Sequence, residues 1–148
     1  MRFRYVYQKV VDLKSNEKTQ AEWMLSAAVG ELQSEQRSLE QLLEEKDATA
    51  AVIAAEAENT ASMIKLQELQ RYMDYMDQAI ERKLADIHLA EQNVERKKAI
   101  LKGKMLDEKV WLKAKEKAMD KFQHEMLLRE QNELDEMATV RFAMRARS

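Results

Sequence analysis

The stretch LQELQRYMDYMDQAIERKLADIHLAEQNVERKKAIL at residues 66–101 decides the fold of this chain. It carries a ladder of large apolar residues at a spacing of seven: Leu66, Met73, Ile80, Ile87, Val94 and Leu101. A seven-residue apolar repeat keeps one stripe of a helix facing a partner helix and produces left-handed supercoiling. Leu69 and Met76 extend this stripe, whereas Lys83 and Lys97 interrupt it. The stretch therefore predicts a long helix that packs against another helix along one seam.

The ladder shifts by four residues after Leu101, and it then continues as Met105, Leu112, Met119 and Met126. An inserted four is a stutter, which unwinds a supercoil locally. Gly103 falls inside the shift, and a glycine weakens a helix by about 1 kcal/mol relative to alanine. The pattern predicts that the packing seam moves onto these later residues. Gly103 is then either a tolerated irregularity or a point of flexure.

The first half of the chain carries a weaker apolar stripe. Its members are Phe3, Val6, Val10, Leu13, Leu25, Ala28, Leu32, Leu39, Leu42 and Ile53. Polar residues such as Glu35 and Lys46 interrupt the stripe, which suits a two-helix pair better than a globular core. The composition agrees, because the 148 residues include no Pro, only two Gly and 35% charged residues. A sheet domain would need more turn residues, so long helices are favoured.

We expect an all-α fold, a single antiparallel two-helix coiled-coil hairpin over 1–148 with helix two longer than helix one. Helix one should cover about 2–57, the turn about 58–63 and helix two about 64–141. The turn is placed by Asn59 and Thr60, since Asn tolerates a left-handed backbone and Thr caps a following helix. The alternative is a single continuous helix, which would have to dimerise to bury its apolar stripe.

No constellation of residues points to catalysis or to a metal. The chain has no Cys, and its two histidines, His88 and His124, are 36 residues apart without a second ligand at helical spacing. With two glycines it cannot form a phosphate-binding loop. Its many carboxylates read as solvated surface charge. We therefore expect a protein that is not an enzyme and that binds no cofactor or metal.

Nucleic acid and the membrane are also disfavoured as direct partners. The lysines between residues 96 and 121 are interleaved with Asp107, Glu108, Glu116 and Asp120, so they do not form a sustained basic face. The longest wholly apolar run, 50–55, is much shorter than the roughly 20 residues of a spanning helix. No apolar segment follows the charged start, so we expect no signal peptide. The expected location is the cytoplasm, with membrane contact only through partners.

Aromatic residues and methionines exceed what a plain coiled coil requires. Trp23 and Trp111 are expected to face each other, and Tyr72 and Tyr75 lie three residues apart near the turn. The chain has ten methionines, a residue type that fills irregular seams and adapts to several partners. Two of them, Met137 and Met144, are not explained by the seam.

Four segments, in order along nearly the whole chain, resemble the flagellar export protein FliJ family. FRYVYQKVVDLK at 3–14 is similar to its opening of alternating aromatic residues followed by Gln-Lys-aliphatic-aliphatic-x-Leu. YMDYM at 72–76 resembles the start of its second helix, and KVWLKAKEK at 109–117 its basic run. ELDE at 133–136 matches its closing motif. The chain departs from the family at Tyr7 and Ala114, where leucine is usual.

The resemblance implies an antiparallel two-helix coiled coil, similar to the stalk subunit of rotary ATPases. It further implies a part of the flagellar type III export apparatus at the cytoplasmic side of the cell membrane, at the flagellar base. The partners that it implies are the hexameric export ATPase, whose ring assembly and hydrolysis such proteins promote, and the cytoplasmic domain of the export gate. Export chaperones are a further implied partner.

Two binding surfaces are hypothesised on this basis. The ATPase-ring surface would lie at the open end of the hairpin and would consist of Phe3, Tyr7, Val10, Leu13, Lys113, Lys115 and Lys117. Its basic residues would meet acidic loops of the ring. The export-gate surface would consist of Tyr72 and Tyr75.

Three other functions remain open. The first is the equivalent stalk of a virulence type III secretion system, which shares the physics of the hairpin but has other partners. The second is a generic coiled-coil scaffold or cargo adaptor without an ATPase partner. The third is a nucleic-acid binder with a basic helix, which the interleaved acidic residues disfavour.

Overall fold

The computed structural model describes residues 2–59 and 62–147, and over these residues the chain forms two α-helices and no strand. Helix α1 spans Gln8–Glu58 and has 51 residues, and helix α2 spans Met63–Arg147 and has 85 residues. The two helices pack against each other as a hairpin. The prediction of an all-α two-helix hairpin with a longer second helix is confirmed.

Helix α1 begins at Gln8, six residues after the start expected at about residue 2. Residues 2–5 are not helical, and the Gln8 N–H donates to the Tyr5 carbonyl at 3.2 Å where the helix starts. The extended segment brings the ring of Phe3 against Phe122 of α2, with 5.4 Å between ring centroids. This ring contact, rather than helical hydrogen bonds, holds the segment before α1 against α2.

Helix α1 ends at Glu58 and helix α2 begins at Met63. Of the two marker residues of the expected turn, Asn59 follows α1 directly and Thr60 lies outside the described residues. At the end of α1 the Asn59 N–H donates to the Ala55 carbonyl at 3.1 Å. At the start of α2 the Ser62 Oγ accepts from the Lys65 N–H at 3.2 Å, which is the bond of a helix N-cap. Helix α2 then runs to Arg147 rather than about 141, since no Gly or Pro follows Gly103.

The contacts divide the chain into two units, and both contain parts of the two helices. The first comprises the residues up to Thr19 together with those from Gly103 onward, and the second runs from Gln20 to Lys102. In the second unit, ion pairs cross between the helices at Lys46–Asp77 (2.6 Å) and Glu35–Lys83 (2.8 Å). From the first pair to the second the residue number falls on α1, from 46 to 35, and rises on α2, from 77 to 83, so the two helices are antiparallel.

The packing seam of α2 keeps a single register. From Leu66 to Phe122 its less exposed residues recur at alternating spacings of three and four. Beyond Leu101 these residues are Lys104, Glu108, Trp111, Lys115, Ala118 and Phe122. The seam of α1 keeps the same spacing, with Val11, Ala21 and Ala28 among its most buried members. A shift in α2 alone would break this match, so the register is fixed by both helices together.

The predicted stutter of the seam is therefore wrong. Of the four residues that continue the apolar ladder, Met105 is 52% exposed, Leu112 and Met119 are 43% and 42% exposed, and Met126 is half-buried. Leu101 is followed on the seam by Lys104, three residues on, and the apolar ladder leaves the seam at this point. The same correction applies in the first half of the chain. Val11 is buried there, while Val6 and Leu13 of the predicted stripe are exposed.

Charged residues take the seam positions that the apolar ladder leaves, and Glu108 is the best connected of them. It accepts from the Ser15 hydroxyl at 2.6 Å and from the Lys18 ammonium at 2.9 Å. Lys104 bonds Glu17 nearby at 3.3 Å. The hydrogen bond from Ser15, followed by that from Lys18, lowers the pKa of Glu108 below its ordinary value because both donors favour the carboxylate.

Substitution of two methionines tests the register of the seam. Met76 is 1% exposed, so Met76→Ala should lower the free energy of unfolding by about 2–3 kcal/mol through lost burial and a residual cavity. Met105→Ala should cost less than about 0.5–1 kcal/mol because that side chain is half exposed already. Urea denaturation followed by circular dichroism measures both. Equal losses at the two sites would place Met105 in the seam and contradict the register.

The carboxylate of Glu108 should make stability depend on pH. Because its pKa is lower in the folded state than its ordinary value of 4.5, its contribution is complete above that value. The contribution is lost as the pH falls through the lowered pKa. Glu108→Gln should therefore destabilise the protein most near neutral pH, and the difference from the parent protein should shrink in acid. Glu91→Gln, at an exposed position of α2, is the control and should leave the profile unchanged.

Candidate functional site

The first hypothesised surface is held together by aromatic contacts of the unit that contains both chain ends. Besides the pair of Phe3 and Phe122, the Tyr7 ring meets Trp111 at 5.8 Å between centroids in an edge-on geometry. Tyr5 and Tyr7 lie edge to face at 5.7 Å. Such offset and edge-on pairs contribute about 0.5–1.5 kcal/mol beyond the area that they bury. The segment before α1 is thus anchored along α2.

These contacts correct the expected pairing of the two tryptophans. The ring next to Trp111 is that of Tyr7, the residue that directly precedes α1. Trp23 belongs to the other unit and is 70% exposed. The sequence predicted an aromatic partner for Trp111, but which residue it is depends on the register between the two helices. In the structure Tyr7, just before the start of α1, lies against Trp111.

The four predicted hydrophobic residues of the ATPase-ring surface have different environments. Phe3 is engaged with Phe122, and Val10 is half-buried beside the seam. Tyr7 and Leu13 are each more than half exposed. Phe3 and Val10 therefore shape this end of the hairpin, whereas Tyr7 and Leu13 present apolar surface that a partner could contact.

The three predicted lysines also differ. Lys113 and Lys117 are exposed, while Lys115 occupies a position of the seam and is half-buried. Lys113 lines a shallow groove together with Met105, Leu112 and Lys109. Sequence reasoning missed Met105 and Leu112 as surface residues because it assigned them to the seam. Their signal was present as a regular ladder whose register departs from that of the preceding residues.

The second hypothesised surface is a stacked pair of tyrosines in the unit from Gln20 to Lys102. The rings of Tyr72 and Tyr75 are nearly parallel, at 18°, with 6.4 Å between centroids. The Tyr72 hydroxyl donates to the Glu45 carboxylate, and this hydrogen bond raises the pKa of Tyr72 because the phenol must keep its proton to donate. Tyr75 is 60% exposed. Tyr72 is tied to α1, and Tyr75 offers a ring to solvent.

Two further kinds of feature, a metal-binding cluster and a membrane-spanning helix, are absent from the residues that the structure describes. Within 2–59 and 62–147 no group of three or more His, Asp or Glu side chains is placed to hold a metal ion. No helix in the part of the chain that the structure describes is long and apolar enough to cross a membrane.

Comparison with known proteins gives the chain a family. The family model described as flagellar FliJ protein matches residues 3–147. Among solved structures, that of a YscO homolog, CT670 from Chlamydia trachomatis, is similar with a TM-score of 0.72 at 17% sequence identity, and the match covers 99% of each chain. At this identity the likeness concerns the fold. A comparison with curated proteins finds no match. Because the family model covers nearly every residue, the chain belongs to the flagellar FliJ protein family.

Proposed function

We propose that this protein is a non-enzymatic stalk component of the bacterial flagellar type III export apparatus. The observation that carries the proposal is the match of the FliJ family over residues 3–147 by a chain that forms the expected two-helix hairpin. Its work is to contact the export ATPase and the export gate in the cytoplasm and so to support export of flagellar proteins and motility. Its association with the inner face of the cell membrane is through these partners.

The ATPase hexamer would be contacted at the open-end surface. Exposed Tyr7 and Leu13 supply apolar area, and exposed Lys113 and Lys117 supply positive charge on the neighbouring helix. The groove beside Lys113 adds Met105 and Leu112, which extend the apolar area along α2. A surface of this kind suits acidic loops with apolar tips, since opposite charge steers association and apolar burial holds the complex.

The cytoplasmic domain of the export gate would be contacted at the tyrosine pair. An exposed aromatic ring adds contact area with little loss of conformational freedom, and its partner ring keeps it in place. Because Tyr72 is bonded to Glu45 of α1, the stacked pair is presented by both helices. Export chaperones are a further proposed partner, and no surface is assigned to them.

The second candidate is the equivalent stalk of a virulence type III secretion system, which the likeness in fold to a YscO homolog supports. The family match favours the flagellar system. A generic scaffold or cargo adaptor is the third candidate. A titration of the protein into the flagellar export ATPase of the same organism, with hydrolysis rate and ring size followed together, separates them. A saturable rise in both supports the proposal, and no binding at physiological salt rejects it.

Charge reversal tests the ATPase-ring surface. The double variant Lys113→Glu/Lys117→Glu should weaken binding to the ATPase by about tenfold, since two favourable charge contacts become repulsive. The loss should diminish as salt is raised. The control, Arg82→Glu/Arg96→Glu, makes the same change of charge at exposed positions of α2 outside this surface and should bind normally. Equal weakening by both variants would mean that net charge, and not this surface, governs binding.

Two tyrosine variants test the gate surface. Tyr75→Ala should weaken binding to the cytoplasmic domain of the gate at least tenfold, because an exposed aromatic contact is lost while helicity is kept. Tyr72→Phe should retain most of the affinity, since it keeps the ring stack and loses only the bond to Glu45. Leu84→Ala removes another exposed apolar side chain of the same unit and serves as the control. Full affinity in Tyr75→Ala, measured by calorimetry, would reject the assignment.

A further inference from the structure

The last part of α2 lies beyond the reach of α1. Phe122 is the α2 residue that receives the ring of Phe3, and every described residue from Leu127 to Arg147 is exposed. We call residues 127–147 the tail helix. It is helical throughout although it buries nothing within its own chain. Most of the stability of helices in proteins comes from the packing of an apolar face, and within its own chain the tail helix has no such packing.

The tail helix carries an apolar stripe of its own. Leu127, Leu134, Met137 and Met144 follow one another at spacings of seven, three and seven, and each is between 54% and 69% exposed. These are the a and d positions of a coiled coil. They include Met137 and Met144, to which the hairpin seam gives no role.

This stripe is not a continuation of the hairpin seam. If the spacing of the seam is carried on past Phe122, it falls on positions that hold no large apolar residue: Glu125, Arg129, Asn132, Glu136, Thr139, Ala143 and Ala146. The apolar stripe of the tail helix has therefore rotated to another face. A longer α1 would follow the seam and would not contact the apolar stripe of the tail helix. Another helix is needed to cover this stripe.

The charges within the stripe select that partner and its direction. The two remaining heptad positions between Leu127 and Met144 are Glu130 and Arg141. In a parallel pair of identical helices the a and d positions each meet themselves, so Glu130 would meet Glu130 and Arg141 would meet Arg141. In an antiparallel pair a meets d, and Glu130 meets Arg141 twice. A second copy of the chain is thus complementary to the stripe in one direction alone.

We propose that two copies of this protein pair through their tail helices in antiparallel orientation. The layers are Leu127 with the partner's Met144, Glu130 with the partner's Arg141, and Leu134 with the partner's Met137, each repeated by the two-fold axis. Every layer is either apolar or oppositely charged. The contact is isologous, as in most two-fold dimers, because the same patch serves on both copies.

The interface is small, so the association should be weak and reversible. Two helices in contact over 18 residues bury less than about 1,200 Å², which is the range of transient complexes. Sedimentation velocity of the full chain should show a monomer that converts to a dimer as the concentration rises from about 5 µM to about 500 µM, by mass action. A protein that stays monomeric over this range would overturn the proposal.

A matched pair of substitutions separates the stripe from general stickiness. Met137→Asp should abolish the dimer, because it places a carboxylate in an apolar layer. Phe142→Asp makes the same kind of change at a residue that is 77% exposed on the tail helix but lies outside the stripe, and it should leave the dimer intact. Circular dichroism checks that both variants remain helical. A dimer that survives Met137→Asp, or that is lost in both variants, would contradict the stripe.

A charge exchange tests the layer of Glu130 and Arg141. Glu130→Arg and Arg141→Glu should each weaken self-association at least tenfold, since each sets like charges against one another in the two copies. The double variant restores opposite charges in the antiparallel pair and should recover the dimer. A double variant that remains as weak as the single ones would overturn the proposed register.

Cysteine cross-linking tests the direction of the pair, and the chain has no native cysteine to interfere. In the antiparallel pair the two copies of residue 127 are 17 positions apart along the axis, about 25 Å, so Leu127→Cys alone should form no disulfide. Mixed with Met144→Cys it should form a disulfide between the two variants. A homodimer disulfide from Leu127→Cys alone would indicate a parallel pair. None of these measurements involves the export ATPase, so their failure leaves the proposed function standing.

Discussion

The seam between α1 and α2, with its seven-residue repeat, is the constraint on which the rest of the structure depends. Within the described residues, each helix is held by the less exposed positions that face the other helix. Those positions keep one register on α2 from Leu66 to Phe122, even where the apolar ladder shifts away from it after Leu101. Two long helices in antiparallel contact cannot change register at one point without losing contacts elsewhere.

After Leu101 the apolar ladder departs from the seam, and this departure decides which side chains of α2 are exposed. Lys104 and Glu108 enter the seam and form ion pairs and hydrogen bonds with α1, which satisfy their charges. Met105 and Leu112 leave it and become exposed apolar area beside Lys109 and Lys113. The exchange lowers the apolar content of the seam and creates a surface that is both apolar and basic.

Much of the fold and part of the candidate site could be predicted from the sequence. The spacing of Leu66, Met73 and Ile80 and the low content of Gly and Pro predicted long helices, and the pair Asn59-Thr60 favoured a hairpin over one continuous helix. Tyr75 and Lys113 are exposed, and their assignment to binding surfaces stays a prediction. Phe3 and Lys115 could not be placed, because their environments depend on which α2 residues the segment before α1 reaches and on which positions the seam selects.

The sequence by itself determined long helices with an apolar stripe in each half of the chain and the further stripe of residues 127–144, because these follow from periodicities within single segments. Only the tertiary structure decided which apolar residues are buried. An apolar side chain at helical spacing can face the partner helix or water, and the choice is made by the match of two seams over their shared length. Hence Met76 is buried and Met105 is exposed, although both belong to regular ladders of the same helix.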